Sequence, residues 1–409
     1  MKHYGFHPFI VAEKAQKAGV IYDLLRREKY VVSPEICDCF SGSYFKSRKE
    51  IDLILNKYNP QNIDEIITNG INSGIIVETD KNYFRKEIVN DFFVAKRRQS
   101  LLKKLTIQPT GKCNLSCNEC EKYYNCLCQR NTKSWSKDEL IGFAKELKNL
   151  ENNVEELNLI GGDLLEFEHM NLLLDQLKSL HFNIISFNFK MESIPYLNKL
   201  YEFVDKLKNI KSPLLIRLQV HLKQKHQTTH EYHPEIKSFL EHTKNKGITV
   251  CVDLMADFSD KSTKHLLDEI EGQEWHSSIV YLYPKNVEKI NKIRTNVEMF
   301  TEDVDLDDFY FRKIAHRCWG YSISISSEGA IKPCLWSKKS YGNWDGGEFK
   351  HVVLDPEISN RFWLECSIDT LGSLSCKACT LRYCCNHCQV LEEHEPNIFK
   401  KLCSVLASS

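Results

Sequence analysis

Between Lys104 and about Lys292 strand-like apolar stretches alternate with helix-like amphipathic ones, and this alternation limits what the chain can fold into. Lys104–Pro109 reads as the first strand. Ser136-Lys-Asp-Glu139 is a capping box, Ser with Glu three residues on, that opens a helix to about Leu150. Glu156–Ile160, Asn183–Phe189, Leu214–Val220, Ile248–Leu254 and Ile279–Tyr283 read as five further strands. Helices fall around Leu172–Leu177, Leu197–Leu207, after Pro234 as a first helical residue, and near Lys264–Ile270. Repeated strand-helix units imply a parallel sheet with right-handed crossovers. Six are too few for a closed eight-stranded barrel. The expected fold is α/β, an open partial (β/α)6 barrel over about residues 104–295, with its site at the carboxyl ends of the strands.

The regions on either side read differently. Residues 1–97 form a small α+β unit. Its strand-like stretches lie around Phe9-Ile-Val-Ala, Gly19-Val-Ile-Tyr and Lys29-Tyr-Val-Val. One helix follows the capping box Ser47-Arg-Lys-Glu50, and a second runs from Asn62 to near Gly70 and Gly74. Ile75-Ile-Val-Glu returns as a strand. Residues 301–409 lose the alternation and hold nine of the seventeen cysteines. So dense a cluster with few long apolar runs points to metal in place of a hydrophobic core. The chain has equal numbers of Lys plus Arg and Asp plus Glu, 55 each, which argues against a general nucleic-acid binder. No run of about 18 apolar residues marks a membrane span. Many cysteines without a secretory signal pattern indicate metal or redox chemistry in the reducing cytoplasm rather than a disulfide framework.

Cys113-Asn-Leu-Ser-Cys117-Asn-Glu-Cys120 lies just after the first strand. Three thiolates are one short of a closed metal tetrad. They suit a cubane iron–sulfur cluster whose fourth iron stays open, or a zinc knuckle closed by Cys126 or Cys128. After the second strand comes Gly161-Gly162-Asp163. Two glycines allow close backbone approach to a ligand, and the carboxylate can accept a hydrogen bond from an ammonium group.

The CxxxCxxC spacing resembles the signature of radical S-adenosylmethionine (SAM) enzymes. The resemblance implies a 4Fe–4S cluster on Cys113, Cys117 and Cys120, SAM chelated at the open iron, and reductive cleavage to a 5′-deoxyadenosyl radical. It also implies that Gly161, Gly162 and Asp163 hold the methionine amino group of SAM, in place of the family's Gly-Gly-Glu-Pro; here Asp163 stands for Glu and Leu164 for Pro. The residue before the third cysteine, usually aromatic, is Glu119, so Tyr123 or Tyr124 would have to supply the adenine contact.

The carboxyl-terminal cysteines resemble the SPASM domain of radical SAM peptide maturases, which holds two auxiliary 4Fe–4S clusters. By that resemblance Cys318, Cys334 and Cys388 serve the first cluster, with no cysteine a few residues upstream of Cys318 to complete it; His316 and Cys366 are the other candidates. Cys376, Cys379, Cys384 or Cys385, and Cys403 serve the second. Cys384 keeps the family's three-residue spacing to Cys388, and Cys385 keeps its five-residue spacing from Cys379. The same cysteines could build two zinc sites, although only one clean CxxC pair is present.

The strands and paired helices of residues 1–97 resemble a winged-helix unit of the kind that captures a precursor's leader peptide as an added strand; a packing cap on the barrel is the alternative. Gly19–Pro34 resembles the start of SPASM maturases found beside ATP-grasp ligases. The partners implied are a precursor peptide with its leader, an electron donor such as flavodoxin or ferredoxin, and an ATP-grasp ligase. No nucleic acid or membrane partner is expected.

Other residues read as structural. His221, His226, His230 and His233 fit an exposed loop better than a metal site. Cys37 and Cys39 read as structural, and Cys251 as a core residue. Asp253, near the end of the fifth strand, is a candidate base or a capping carboxylate. The competing class is a regulatory or structural protein, with iron–sulfur or zinc sites and a winged-helix reader. That class needs neither a SAM amine site nor a half-open barrel.

Overall fold

The structure is a computed structural model of the 409-residue chain. It describes residues 2–15, 18–42, 44–58, 60–80, 103–114, 122–124, 131–150, 154–191, 194–221, 229–257, 278–282, 285–286, 303–314, 322–344, 379–385 and 389–396.

The amino-terminal region holds two three-stranded antiparallel sheets. β1 (His3–Phe6) is followed by β2 (Ile10–Lys14), β3 (Gly19–Asp23) and β4 (Glu28–Val32), and the last three form a meander. α1 (Pro34–Phe40) has Pro at its start, where a missing N–H costs nothing. β5 (Lys46–Ser47) leads into α2 (Arg48–Ile54). Here the capping box forms as read from sequence: the Ser47 N–H donates to the Glu50 carboxylate at 2.7 Å, and the Glu50 N–H donates to Ser47 Oγ at 3.4 Å. α3 (Pro60–Asn72) begins two residues before Asn62 and ends ahead of Gly74, whose φ of +71° is the left-handed turn glycine favours. β6 (Ile76–Thr79) then pairs with β1, opposite β5. Phe6, Ile21, Cys39, Phe40, Ile51 and Ile76 belong to the core of this region. Cys37 and Cys39 are buried, and burial raises their thiols to about 11 and about 12.

A nine-stranded sheet dominates the rest. β7 (Lys104–Ile107), β8 (Glu156–Leu159), β9 (Ile184–Met191), β10 (Leu214–His221), β11 (Thr249–Asp257) and β12 (Ser278–Leu282) are parallel neighbours in chain order. Among the described residues, four helices lie between them: α4 (Lys137–Leu150), α5 (Met170–Leu177), α6 (Ile194–Lys206) and α7 (Thr229–Asn245). Pro234 lies inside α7 rather than at its first position. α8 (Leu306–Ile314) follows, then β13 (Ser322–Ile325), which joins the free side of β7 in parallel, Ile323 opposite Leu105 and Ile325 opposite Ile107. β14 (Ala330–Lys332) and β15 (Gly342–Asn343) extend this edge antiparallel. The final described helix is α9 (Gln389–His394).

The period-two alternation of the strands separates two chemistries. Leu105, Ile107, Leu157, Leu159, Phe187 and Leu218 pack with helix residues such as Phe143, Leu173, Leu200 and Phe239 in the largest core. The opposite face carries Thr106, Asn158, Ser186, Lys190, Gln219 and Asp253, all buried. Cys251 shares the parity of Asp253 and stands partly buried on this polar face, not in the core as expected; Val252 and Leu254 take the core positions.

A third core ties distant parts together. Val20, Tyr22 and Leu24 from β3 and its turn pack with Phe309 and Tyr310 of α8 and with Leu381, Tyr383 and Cys384. No helix among the described residues is long and apolar enough to cross a membrane.

Candidate functional site at the end of the first two parallel strands

The segment leaving β7 is held in place before it reaches Cys113. The Gln108 N–H donates to Ile325 O at 2.9 Å, so β13 extends its hold one residue beyond β7. Gly111 and Lys112 are then fixed from two directions. The Gly111 N–H donates to Lys133 O and the Asn131 N–H to Gly111 O, each at 2.8 Å. The Lys112 N–H donates to Thr110 Oγ1 at 3.1 Å. Cys113 is 6% exposed.

The Gly161-Gly162-Asp163 turn after β8 docks on this same segment. Gly161 and Gly162 have φ of +98° and +53°. A Cβ on Gly162 would lie 2.4 Å from Lys112 O and 2.7 Å from Thr110 O, so only glycine fits against that backbone. A Cβ on Gly161 would lie 2.3 Å from the side chain of Gln108. The Asp163 N–H closes the contact by donating to Lys112 O at 2.8 Å. The turn is therefore in direct backbone contact with the segment that leads into Cys113, about fifty residues earlier in sequence.

The Asp163 side chain is 3% exposed. Its Oδ1 accepts from Tyr196 Oη at 2.9 Å and from the Leu165 N–H at 3.1 Å, capping the short 3-10 turn Leu164–Glu166. Burial raises its carboxyl above the ordinary aspartate range, against the pull of these two donors. Among the described residues neither bond uses Oδ2. Gln108 and Tyr196 carry no motif and were not singled out from sequence; the parity of β7 and the pattern of α6 place them.

The polar face beside this turn is hydrogen-bonded across strands. The Asn158 amide donates to Thr106 at 3.3 Å, while Ser186 and Asn188 donate to Asn158 Oδ1 at 2.6 and 2.5 Å. Further along, Arg217 Nε and Nη2 donate to the two oxygens of Asp253 at 2.8 and 2.9 Å. The candidate base is thus held in a bidentate ion pair. Gln219 pairs in register with Lys190 on one side and Asp253 on the other, and its Nε2 is buried without a partner among the described residues.

Tyr124 stacks on His394 with ring centroids 4.9 Å apart, and its hydroxyl donates to Glu395 at 2.6 Å. Burial and then Glu395 raise that phenol to about 12. One face of Tyr124 is therefore covered by the helix that follows Cys388. That helix also holds the segment after Cys334: Glu393 accepts from Ser337 Oγ at 2.9 Å and from the Lys338 N–H at 2.8 Å. Cys379, Cys384 and Cys385 lie on one short turn, with Cys384 fully buried. Burial raises the Cys384 thiol to about 12. Cys117, Cys120, Cys126, Cys128, Cys318, Cys366, Cys376, Cys388 and Cys403 lie outside the described residues, as do His226 and His316 and the side chains of His221, His230 and His233. The donor sets of the sequence reading are therefore seen only in part.

No protein-family model and no curated protein matches the chain. Solved structures do. SuiB of Streptococcus suis bound to S-adenosylmethionine is 13% identical, with 97% of each chain covered and a TM-score of 0.43. SuiB bound to precursor peptide SuiA is 12% identical over 97% of this chain and 98% of that one, with a TM-score of 0.45. The structure of anSMEcpe with bound AdoMet and Cp18Cys peptide is 13% identical over 75% and 97%, with a TM-score of 0.45. Over most of its length the chain is similar, at low identity, to these structures.

Proposed function

We propose that the chain is a radical SAM peptide maturase of the SPASM type, which abstracts hydrogen from a ribosomally made precursor peptide and forms a cross-link in it. The observation that carries this reading is the seating of Gly162 and Asp163 on the backbone of Thr110 and Lys112, one residue before Cys113. A zinc knuckle has no use for a glycine cradle and a buried carboxylate beside its first ligand.

The residues present fit the groups assigned to them. Cys113, Cys117 and Cys120 would hold the 4Fe–4S cluster with one iron open to SAM, since three thiolates in the CxxxCxxC spacing leave one iron without a protein ligand. When bound, cluster and SAM supply a 5′-deoxyadenosyl radical. The chain's own contribution is placement. Gly161 and Gly162 let the turn seat on the segment before Cys113, and Asp163 would accept from the ammonium group of SAM through Oδ2 while Tyr196 fixes Oδ1. Arg217 and Asp253 hold each other and shape the polar wall where the peptide would lie, a positioning role rather than that of a base.

In this reading residues 104–295 are the partial barrel. Residues 301–409 hold two auxiliary 4Fe–4S clusters, one on Cys318, Cys334 and Cys388 and one on Cys376, Cys379, Cys384 or Cys385, and Cys403. Residues 1–97 receive the leader peptide. A flavodoxin or ferredoxin supplies the electron in the cytoplasm, and an ATP-grasp ligase acts in the same pathway.

Anaerobic purification and reconstitution test the reading. Three cubanes predict about twelve irons per chain. Dithionite and SAM should then yield 5′-deoxyadenosine, and a Cys113/Cys117/Cys120→Ala variant should yield none. Zinc in place of iron, with no deoxyadenosine, favours the structural class instead.

A further inference from the structure

The segment that leads into Cys113 lies beside the one that begins at Asn131, and more than the Gly111 contacts joins them. Thr110 and Ser134 form an antiparallel bridge, their hydroxyls share a hydrogen bond at 2.5 Å, and the Trp135 N–H donates to Pro109 O at 2.9 Å. The two arms thus form a short ladder. A single turn of the carboxyl-terminal hairpin touches both of them. On the outgoing arm Gln108 Oε1 accepts from the Ser327 N–H at 3.4 Å. On the returning arm Asn131 Nδ2 donates to Ser327 Oγ at 2.9 Å, while Asn131 Oδ1 accepts from the Lys133 N–H at 2.9 Å. Trp135 Nε1 donates to Ser326 O at 3.4 Å. Ser326 and Ser327 are buried. Their turn joins β13 to β14 and is itself fixed: Ser326 Oγ accepts from the Ala330 N–H at 3.1 Å, and the Gly329 N–H donates to Ser326 O at 2.9 Å.

We infer that Asn131 and Ser327 are positioning residues, a latch that ties the returning arm to the β13–β14 turn and so holds Cys113 in place before any metal binds. The ladder joins the arms to each other, whereas the Asn131–Ser327 pair ties them to the edge of the sheet that β13 forms. Joining the ends of a loop costs chain entropy, which a metal would otherwise have to offset as it binds. Here the fold meets that cost in advance. The latch is local: a buried hydroxyl and an amide satisfy each other, and removing either one leaves the other without its partner, so the arms open more often. Its use in holding a 4Fe–4S cluster rests on the proposed function. The latch itself does not, and the metal-free chain tests it alone.

The test is alkylation of the metal-free full chain by iodoacetamide, read at each cysteine by mass spectrometry. Cys113 should react slowly in the wild type, as a buried thiol does, and on the order of tenfold faster in Asn131→Ala and in Ser327→Ala. Cys39 in the amino-terminal core and Cys251 on β11 report unfolding elsewhere and should keep their wild-type rates. The double variant should label about as fast as either single one, because both substitutions remove the same contact. Gly111→Ala is an independent probe: its added methyl would lie 1.8 Å from Asn131 Oδ1 and push that side chain off Ser327, with the same rise at Cys113. Cys113 reacting in the wild type as fast as in the denatured chain overturns the inference. So does an unchanged slow rate in the three single variants, and so do multiplying effects in the double one. A rise shared equally by Cys39 and Cys251 also overturns it, since the substitutions would then act on the whole fold. All of these results leave the proposed function standing, because that reading is decided by iron and 5′-deoxyadenosine instead.

Discussion

Asp163 is where stability and function pull apart. Its carboxyl is raised by burial, so the folded chain keeps that proton to a higher pH than the unfolded chain does. The stability it contributes is present below the ordinary aspartate value of about 3.9 and is lost as pH rises through the raised one. Asp163→Asn keeps an oxygen for Tyr196 and the Leu165 N–H and removes this loss. The variant should melt at or above the wild-type temperature at pH 7, with no such advantage in acid, as calorimetry across pH would show. Its affinity for SAM should fall by about 2 kcal/mol, roughly thirtyfold, because a charged acceptor for the ammonium is gone. Undiminished SAM binding by calorimetric titration would remove Asp163 from the site. Asp163 was legible in the sequence because it follows two glycines after a strand. Gln108 and Tyr196 were not, because each meets the turn only when β7, β8 and α6 pack. Cys251 was misread because an apolar-looking strand hid its two-faced parity.

At the scale of elements, local signals were read well and non-local ones hardly at all. Both capping boxes form. Ser136 shows the same reciprocal pair as Ser47: its N–H donates to Glu139 at 2.7 Å, and the Glu139 N–H returns to Ser136 Oγ at 3.3 Å. Ser136→Ala should cost about 1 kcal/mol in denaturant unfolding, with the slope unchanged. A cost near zero would mean that water replaces the cap. The six parallel strands were visible as apolar runs between turn signals. The four-residue β1 and seven-residue α1 were too short to carry a period. β13 could not be anticipated, since nothing near Ser322–Ile325 says that its partner is β7, more than 200 residues earlier.

The molecule as a whole is knit by contacts that cross from one end of the chain to the other. Phe309 touches Tyr22, Tyr310 and Tyr383 with ring centroids 5.0, 5.5 and 4.9 Å apart. Phe309→Ala should cost about 3–5 kcal/mol. It should also split a single calorimetric transition into two, as the amino-terminal unit loses its hold on the cysteine turn; a single transition at an unchanged temperature would show that this core does not couple them. The central claim concerns an iron that the protein leaves open beside Cys113, and electron paramagnetic resonance of the reduced, reconstituted chain tests it most directly. Addition of SAM should change the spectrum of one cluster, and that cluster should be missing when Cys113, Cys117 and Cys120 are replaced by Ala. A spectrum that SAM leaves unchanged, together with zinc held in the loop by four protein ligands, would contradict the account.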